Sequence, residues 1–206
     1  MSTGRREWLV AIGASAGGPA ALAVVLKGLP KDFSAAVVII QHVDMQFASG
    51  MADWLSQHSA LPVKVAVEGD RLVPGRVLIA GTQDHMKLMA AARIGYTPHP
   101  REYVYRPSVD VFFQSVSQHW GGRAVGVLLT GMGRDGAIGL KALRDKGYHT
   151  IAQDEASSVV YGMPKAAANL EAAVDILPMA DIASRLIEVL ARGGANAGEI
   201  AMGKKA

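Results

Sequence analysis

Trp8-Leu9-Val10-Ala11-Ile12-Gly13-Ala14-Ser15-Ala16-Gly17-Gly18-Pro19 decides how this chain is read. A short, unbroken apolar run ending in glycine is the signature of a strand buried on both faces. Pro19 then opens a helical pattern through Leu22, Val25 and Leu26, and proline suits a first helical turn. Between strand and helix stands Gly13-x-Ser15-x-Gly17, the spacing of a nucleophile elbow. Such a turn strains its serine, so neighbouring positions must be small; Ala14, Ala16, Gly17 and Gly18 comply. It also aims free N–H groups of the following helix at an oxygen that turns negative during acyl transfer. The competing reading is a glycine-rich turn that only binds an anion. It is not G-x-G-x-x-G, because Ser15 takes the place of the second glycine, and no Walker lysine follows. On pattern alone both readings stand.

Strands and helices alternate outward from this turn. Residues 36–40 (Ala-Val-Val-Ile-Ile) read as a second buried strand ending at Gln41-His42, and 47–55 as a helix carrying Met51, Trp54 and Leu55. Residues 63–67 alternate as a strand nearer an edge, 77–80 form another, and 86–97 a hairpin. A helix over 109–120 puts Val109, Phe112, Phe113 and Val116 on one face. Residues 124–130 are the clearest buried strand, followed by a glycine-rich turn and a helix over 138–143. Strands at 149–153 and 173–177 and a closing helix over 182–190 complete the pattern. The alternation predicts parallel βαβ units in a doubly wound α/β sheet. One domain over 1–192 is expected, with 193–206, small and polar, as a disordered tail.

Bulk properties narrow the function classes. At 206 residues with 50% hydrophobic content, the chain can bury a full core. A net charge of +3 is mild, and the scattered Lys and Arg residues form no aromatic-laced stripe, so nucleic acid is not an expected partner. There is no cysteine, which removes disulfides, thiolate nucleophiles and Cys-based metal sites. No apolar run reaches membrane-span length. Arg5-Arg6 ahead of the first strand and Ala14-Ser15-Ala16 mimic a signal peptide, but glycine interrupts sooner than the roughly 7–15 apolar residues such a segment needs. A cytoplasmic location follows, with no metal or cofactor expected.

In a doubly wound sheet, ligands bind beyond the carboxyl ends of the strands. That rule picks out Ser15, His42 and the loop 131–136. His42 directly follows the second buried strand and is the preferred base for Ser15 on topology alone. His58, His99, His119 and His149 fall away from that edge, and His85 is undecided. Asp135, in Thr130-Gly-Met-Gly-Arg-Asp-Gly136, precedes a helix and could simply cap it. With Ser15 and His42 on the same edge, orienting the imidazole is an equal reading. The order Ser, His, Asp differs from the Ser, Asp, His of ordinary α/β-hydrolases.

At these residues the chain resembles the catalytic domain of the bacterial chemotaxis protein-glutamate methylesterases, the CheB type. The resemblance rests on Ala11-Ile-Gly-Ala-Ser-Ala-Gly-Gly18, Gln41-His42, Arg106-Pro-Ser-Val-Asp110, Leu129-Thr-Gly-Met-Gly-Arg-Asp-Gly-Ala137 and Ala152-Gln-Asp-Glu-Ala-Ser-Ser-Val-Val-Tyr-Gly-Met-Pro164, in the family's order. It implies a mainly parallel sheet of about seven strands with helices on both faces, a three-layer αβα fold. It also implies hydrolysis of γ-glutamyl methyl esters, and often deamidation of glutamines, on the cytoplasmic part of chemoreceptors. Carried over by position, Ser15 is the nucleophile, His42 the base and Asp135 its orienter. Ala16 and Met132 would supply oxyanion-hole N–H groups. Activity would then peak near neutral pH or higher.

Three positions depart from the family pattern. Ala16 stands where many relatives have threonine, and Arg134 and Asp154 where asparagine is common. Typical members also carry an N-terminal receiver domain, whereas the elbow here lies within the first residues. Control by phosphorylation is therefore expected to be lost or supplied by a separate response-regulator or signalling protein. The rival readings are a non-catalytic interaction module of the same fold and a serine esterase for small esters.

Overall fold

The structure, a computed structural model, describes residues 7–202 and the side chains of 7–193. Arg5 and Arg6, weighed above as a leader flank, lie outside the described residues, as do 203–206. The elements run β1 (Trp8–Ala14), α1 (Gly18–Lys27), β2 (Ala35–Gln41), α2 (Met45–His58), β3 (Val63–Val65), β4 (Val77–Ile79), β5 (His85–Met89) and β6 (Arg93–Thr97). They continue with α3 (Val109–His119), β7 (Arg123–Leu128), α4 (Ala137–Asp145), β8 (His149–Gln153), α5 (Met163–Asn169), β9 (Asp175–Leu177) and α6 (Ile182–Met202). Seven strands form one parallel sheet in the order β3-β4-β2-β1-β7-β8-β9. The expected edge strand at 63–67 is β3, one residue pair shorter, at the sheet's margin.

Alternation along the central strands builds two cores. Val10, Ile12, Val37 and Ile39 point to one face, under Leu22 and Leu26 of α1, Leu55 of α2 and Leu186 of α6. Leu9, Ala11, Val38 and Ile40 point to the other, under Phe112 and Phe113 of α3, Leu140 of α4 and Met163 of α5. Each strand is apolar at successive positions because both of its faces are covered. Fully burying a phenylalanine such as Phe112 or Phe113 contributes about 1.5–3 kcal/mol.

The β5–β6 hairpin is antiparallel and pairs outside the main sheet, with Leu88 N–H donating to Ser115 Oγ of α3 at 2.8 Å. The sequence reading did not identify α5, a short alanine-rich helix. From Gly193, where a disordered tail was expected, the backbone instead continues α6 to Met202. Extending an existing helix adds one hydrogen bond per residue fixed without a new nucleation step, which carries α6 through Gly193, Gly194 and Gly198 despite the low helix propensity of glycine.

Two features of this topology position the site. The chain moves from β1 to β2 in one direction and from β7 through β8 to β9 in the other. Loops leaving β1 and β7 therefore diverge to opposite faces, opening the crevice where such sheets bind ligands. Among the described residues, no helix is long and apolar enough to cross a membrane.

Candidate active site

Ser15 follows the last residue of β1 and sits beside the end of β7, its N–H donating to Thr130 O at 3.0 Å. Gly18 N–H returns to Ser15 O at 2.7 Å, closing the elbow before Pro19 takes the first turn of α1. Gly17 stands at φ 77°, the left-handed region, and a Cβ there would lie 2.6 Å from Val159 Cβ. A side chain at 17 would thus meet both backbone strain and a collision. Thr130 Oγ1 donates to Ala16 O at 2.9 Å and accepts Val160 N–H at 3.0 Å, pinning the turn to the loop after β8. Among the described residues, the N–H groups of Ala16 and Met132 donate to no protein acceptor. Free backbone donors of this kind are what a developing oxyanion requires.

His42 follows β2 on the other side of β1, its N–H bonded to Ala14 O at 3.1 Å. The loop after β7 brings Asp135 to it, with His42 Nε2 2.7 Å from Asp135 Oδ2. Both side chains are nearly closed to solvent, at 8% and 7% exposure. Asp135 does not cap α4: the N-cap there is Gly136, and no side chain serves it. Its carboxylate caps the start of α3 instead, accepting Val109 N–H at 2.7 Å, Asp110 N–H at 3.0 Å and Ser108 Oγ–H at 2.8 Å. Burial pushes the Asp135 carboxyl up, but the His42 hydrogen bond and the α3 N–H groups outweigh it and hold it below the usual carboxylate range.

An ionised Asp135 can only accept, so His42 must donate from Nε2. In the neutral imidazole, Nδ1 then carries the lone pair, and Nδ1 is buried without a protein partner among the described residues. The nitrogens are used in the opposite sense from the chymotrypsin-type triad, where the carboxylate holds Nδ1. Ser15 Oγ and His42 share no direct hydrogen bond among the described residues; their backbones are joined through Gln41, whose Nε2 donates to Ser15 O at 2.9 Å and His42 O at 3.2 Å. Such contacts often tighten only when substrate is bound.

Several contributors escaped the sequence reading. Tyr105 stacks face to face on His42, ring centroids 4.3 Å apart and planes 5° from parallel. Asp110 accepts Gly139 N–H at 2.6 Å, tying α3 to α4 behind Asp135. Burial, with the Asp135 charge beside it, pushes the Asp110 carboxyl up to about 6, against the pull of the Gly139 N–H. The undecided His85 is structural: it is fully buried, with Nδ1 accepting Ser108 N–H and Nε2 donating to Pro100 O. His149 lies at the start of β8, away from the elbow, paired with Asp175 at 2.6 Å. Asp154 accepts the N–H and Oγ–H of Ser157, shaping the loop after β8.

A polar cavity of about 620 Å³ opens beside the pair, lined by His42, Asp44, Gln83, Asp84, Tyr105 and Arg106. A larger hollow of about 700 Å³ around Arg71, Trp120 and Gly122 lies at the amino ends of β1 and β7, away from these groups. Size therefore does not choose between them. The ionisable pair does.

The family described as CheB methylesterase matches residues 10–186. The chain belongs to the CheB methylesterase family. The CheB methylesterase catalytic domain of Thermotoga maritima has the same architecture, with a TM-score of 0.85 at 34% identity, covering 89% of this chain and 98% of that one. Protein-glutamate methylesterase/protein-glutamine glutaminase 2 of Pseudomonas syringae pv. syringae is 63% identical over 185 residues, 90% of this chain and 55% of that protein. Protein-glutamate methylesterase/protein-glutamine glutaminase 3 of Pseudomonas aeruginosa is 61% identical over 186 residues, 90% and 56% of the two chains. The chain thus spans about half the length of the curated relatives it matches. The CheB fold is the doubly wound sheet expected from the alternation of strands and helices.

Proposed function

We propose that this chain hydrolyses γ-glutamyl methyl esters on the cytoplasmic part of chemoreceptors, and glutamine side-chain amides there as well, working in the cytoplasm. The observation that carries the reading is His42. It is tied through Nε2 to a buried, ionised Asp135 and keeps a buried, unpartnered Nδ1 beside the Ser15 elbow. The names of the relatives, which pair methylesterase with glutaminase, support the two substrate classes.

Ser15 Oγ attacks the ester carbonyl while His42 Nδ1 takes its proton. The carbonyl oxygen becomes negative and is met by the N–H groups of Ala16 and Met132. Collapse expels methanol, protonated by His42, and leaves an acyl-Ser15. Water, deprotonated by His42, then attacks the acyl carbonyl and releases the glutamate. Asp135 keeps the imidazole in the Nδ1-basic tautomer and stabilises the imidazolium formed in each half-reaction. With an amide, ammonia takes the place of methanol. No step calls on a metal or cofactor.

The test is methanol release from methylated receptor membranes. Wild type should release it and Ser15→Ala should not. A wild-type protein that binds the receptor without releasing methanol would support an interaction module of the same fold.

A further inference from the structure

Gln41 is the last residue of β2, paired in register with Ala14 of β1, and is almost wholly buried at 3% exposure. Its amide nitrogen spends both hydrogens on main-chain carbonyls of the site, Ser15 O at 2.9 Å and His42 O at 3.2 Å. Its oxygen lies against Gly18, where an added Cβ would come within 2.0 Å of Oε1, and finds no protein partner among the described residues. An apolar side chain would fill this slot without burying an unmatched oxygen. The chemistry of the position is therefore in the two donors.

The peptide unit joining Ser15 to Ala16 is a rigid trans plane, so its C=O and N–H point in opposite directions. Gln41 Nε2 and Gly18 N–H both hold the Ser15 oxygen on the α1 side. The Ala16 N–H is thereby turned away from Gln41, and it donates to no protein acceptor among the described residues. The second Gln41 hydrogen holds the carbonyl of His42, so one amide sets the nucleophile turn against the backbone of the base. Glutamate would bring acceptors to two carbonyls that need donors.

We propose that Gln41 is a positioning residue for the reaction, aiming the Ala16 N–H at the oxyanion by holding the Ser15 carbonyl and tying it to that of His42. This rests on the reading of Ser15 and Ala16 given above. Losing an oxyanion donor outright costs about 10²–10³ in kcat, so mis-aiming one should cost less.

The experiment compares methanol release from methylated receptor membranes by wild type, Ser15→Ala, Gln41→Met and the double variant Gly18→Ala/Gln41→Ala. Gln41→Met keeps the volume and loses the donors. It should lower kcat by about 10–100-fold while KM stays within about 2-fold. In the double variant the new methyl enters part of the space the amide leaves but lies 2.9 Å from Ala14 Cβ, so its urea midpoint should stay below wild type while kcat stays as low as in Gln41→Met. Recovery of kcat along with stability would mean that Gln41 only fills space, and would overturn the proposal. So would a Gln41→Met kcat within about 2-fold of wild type, or a loss carried by KM. A silent wild type, or an active Ser15→Ala, would instead overturn the catalytic reading, and this inference with it.

Discussion

His42 Nε2 lies 2.7 Å from Asp135 Oδ2, and that same carboxylate also holds the first turn of α3 through Val109 N–H, Asp110 N–H and Ser108 Oγ–H. One side chain thus serves the imidazole and joins the loop after β7 to a helix on the face of the sheet. The two duties respond differently to substitution.

Asp135→Asn keeps an oxygen at the Oδ1 position for Asp110 N–H and Ser108 Oγ–H, turns an NH2 toward Val109 N–H and His42, and loses the charge that fixes the imidazole. Its kcat should fall about 10⁴-fold, the size of the Asp-to-Asn effect in the chymotrypsin-type triad, with the fold largely intact. Asp135→Ala leaves buried N–H groups unmatched and should cost about 1–3 kcal/mol of stability besides. Methanol release and urea unfolding on both variants separate these effects. Near-normal turnover in Asp135→Asn would reduce Asp135 to a cap for α3.

Asp110 and Asp135 should tilt stability in opposite directions with pH. Folded Asp110 keeps its proton up to about 6, against 3.8 for a free carboxyl, so the fold loses stability as pH rises between those values and no more above them. Asp135 is held low, so its contribution is complete above the ordinary carboxylate range and is lost as pH falls through its folded value. Asp110→Asn should remove the first slope and gain on the order of 1–3 kcal/mol over wild type between about pH 4 and pH 7. Urea unfolding near both pH values measures it. An unchanged difference between the two proteins at both would refute it.

Tyr105 covers one face of the His42 ring as a parallel stack. Tyr105→Phe should keep the stack and nearly all activity. Tyr105→Ala should free the ring and lower kcat by about 2- to 10-fold, the equivalent of one aromatic pair at about 0.5–1.5 kcal/mol. Equal losses in both variants would point to the hydroxyl instead.

Gly131 is fixed by Val160 O and by the N–H groups of Gly162 and Met163. A Cβ on it would lie 2.2 Å from Met163 Sδ and 2.8 Å from Ser15 Cβ. The methionine end can swing away, but the serine is held in its elbow. Gly131→Ala should therefore displace Ser15 and cut kcat by up to about 10²-fold. Parallel thermal unfolding would show whether stability falls in proportion; a variant with wild-type kcat would mean that the elbow yields at no cost.

Much of this molecule is written locally in the chain. The apolar runs at Trp8–Ala14 and Ala35–Gln41, the Gly-x-Ser-x-Gly turn and the proline that opens α1 determine a buried strand, an elbow and a helix, because strand pleat and turn sterics act over a few residues. Alternation of strands and helices then determines the parallel sheet, and strand ends nominate Ser15, His42 and the loop that carries Asp135. The tertiary structure decided the rest. Asp135 precedes α4 in the chain yet caps α3, Nε2 rather than Nδ1 of His42 meets it, Tyr105 joins the site from another segment, and the amide of Gln41 reaches across to the Ser15 carbonyl. Hydrogen-bond partners are chosen by distance and direction in space, and separations such as the 93 residues between His42 and Asp135 leave no periodic trace in the sequence.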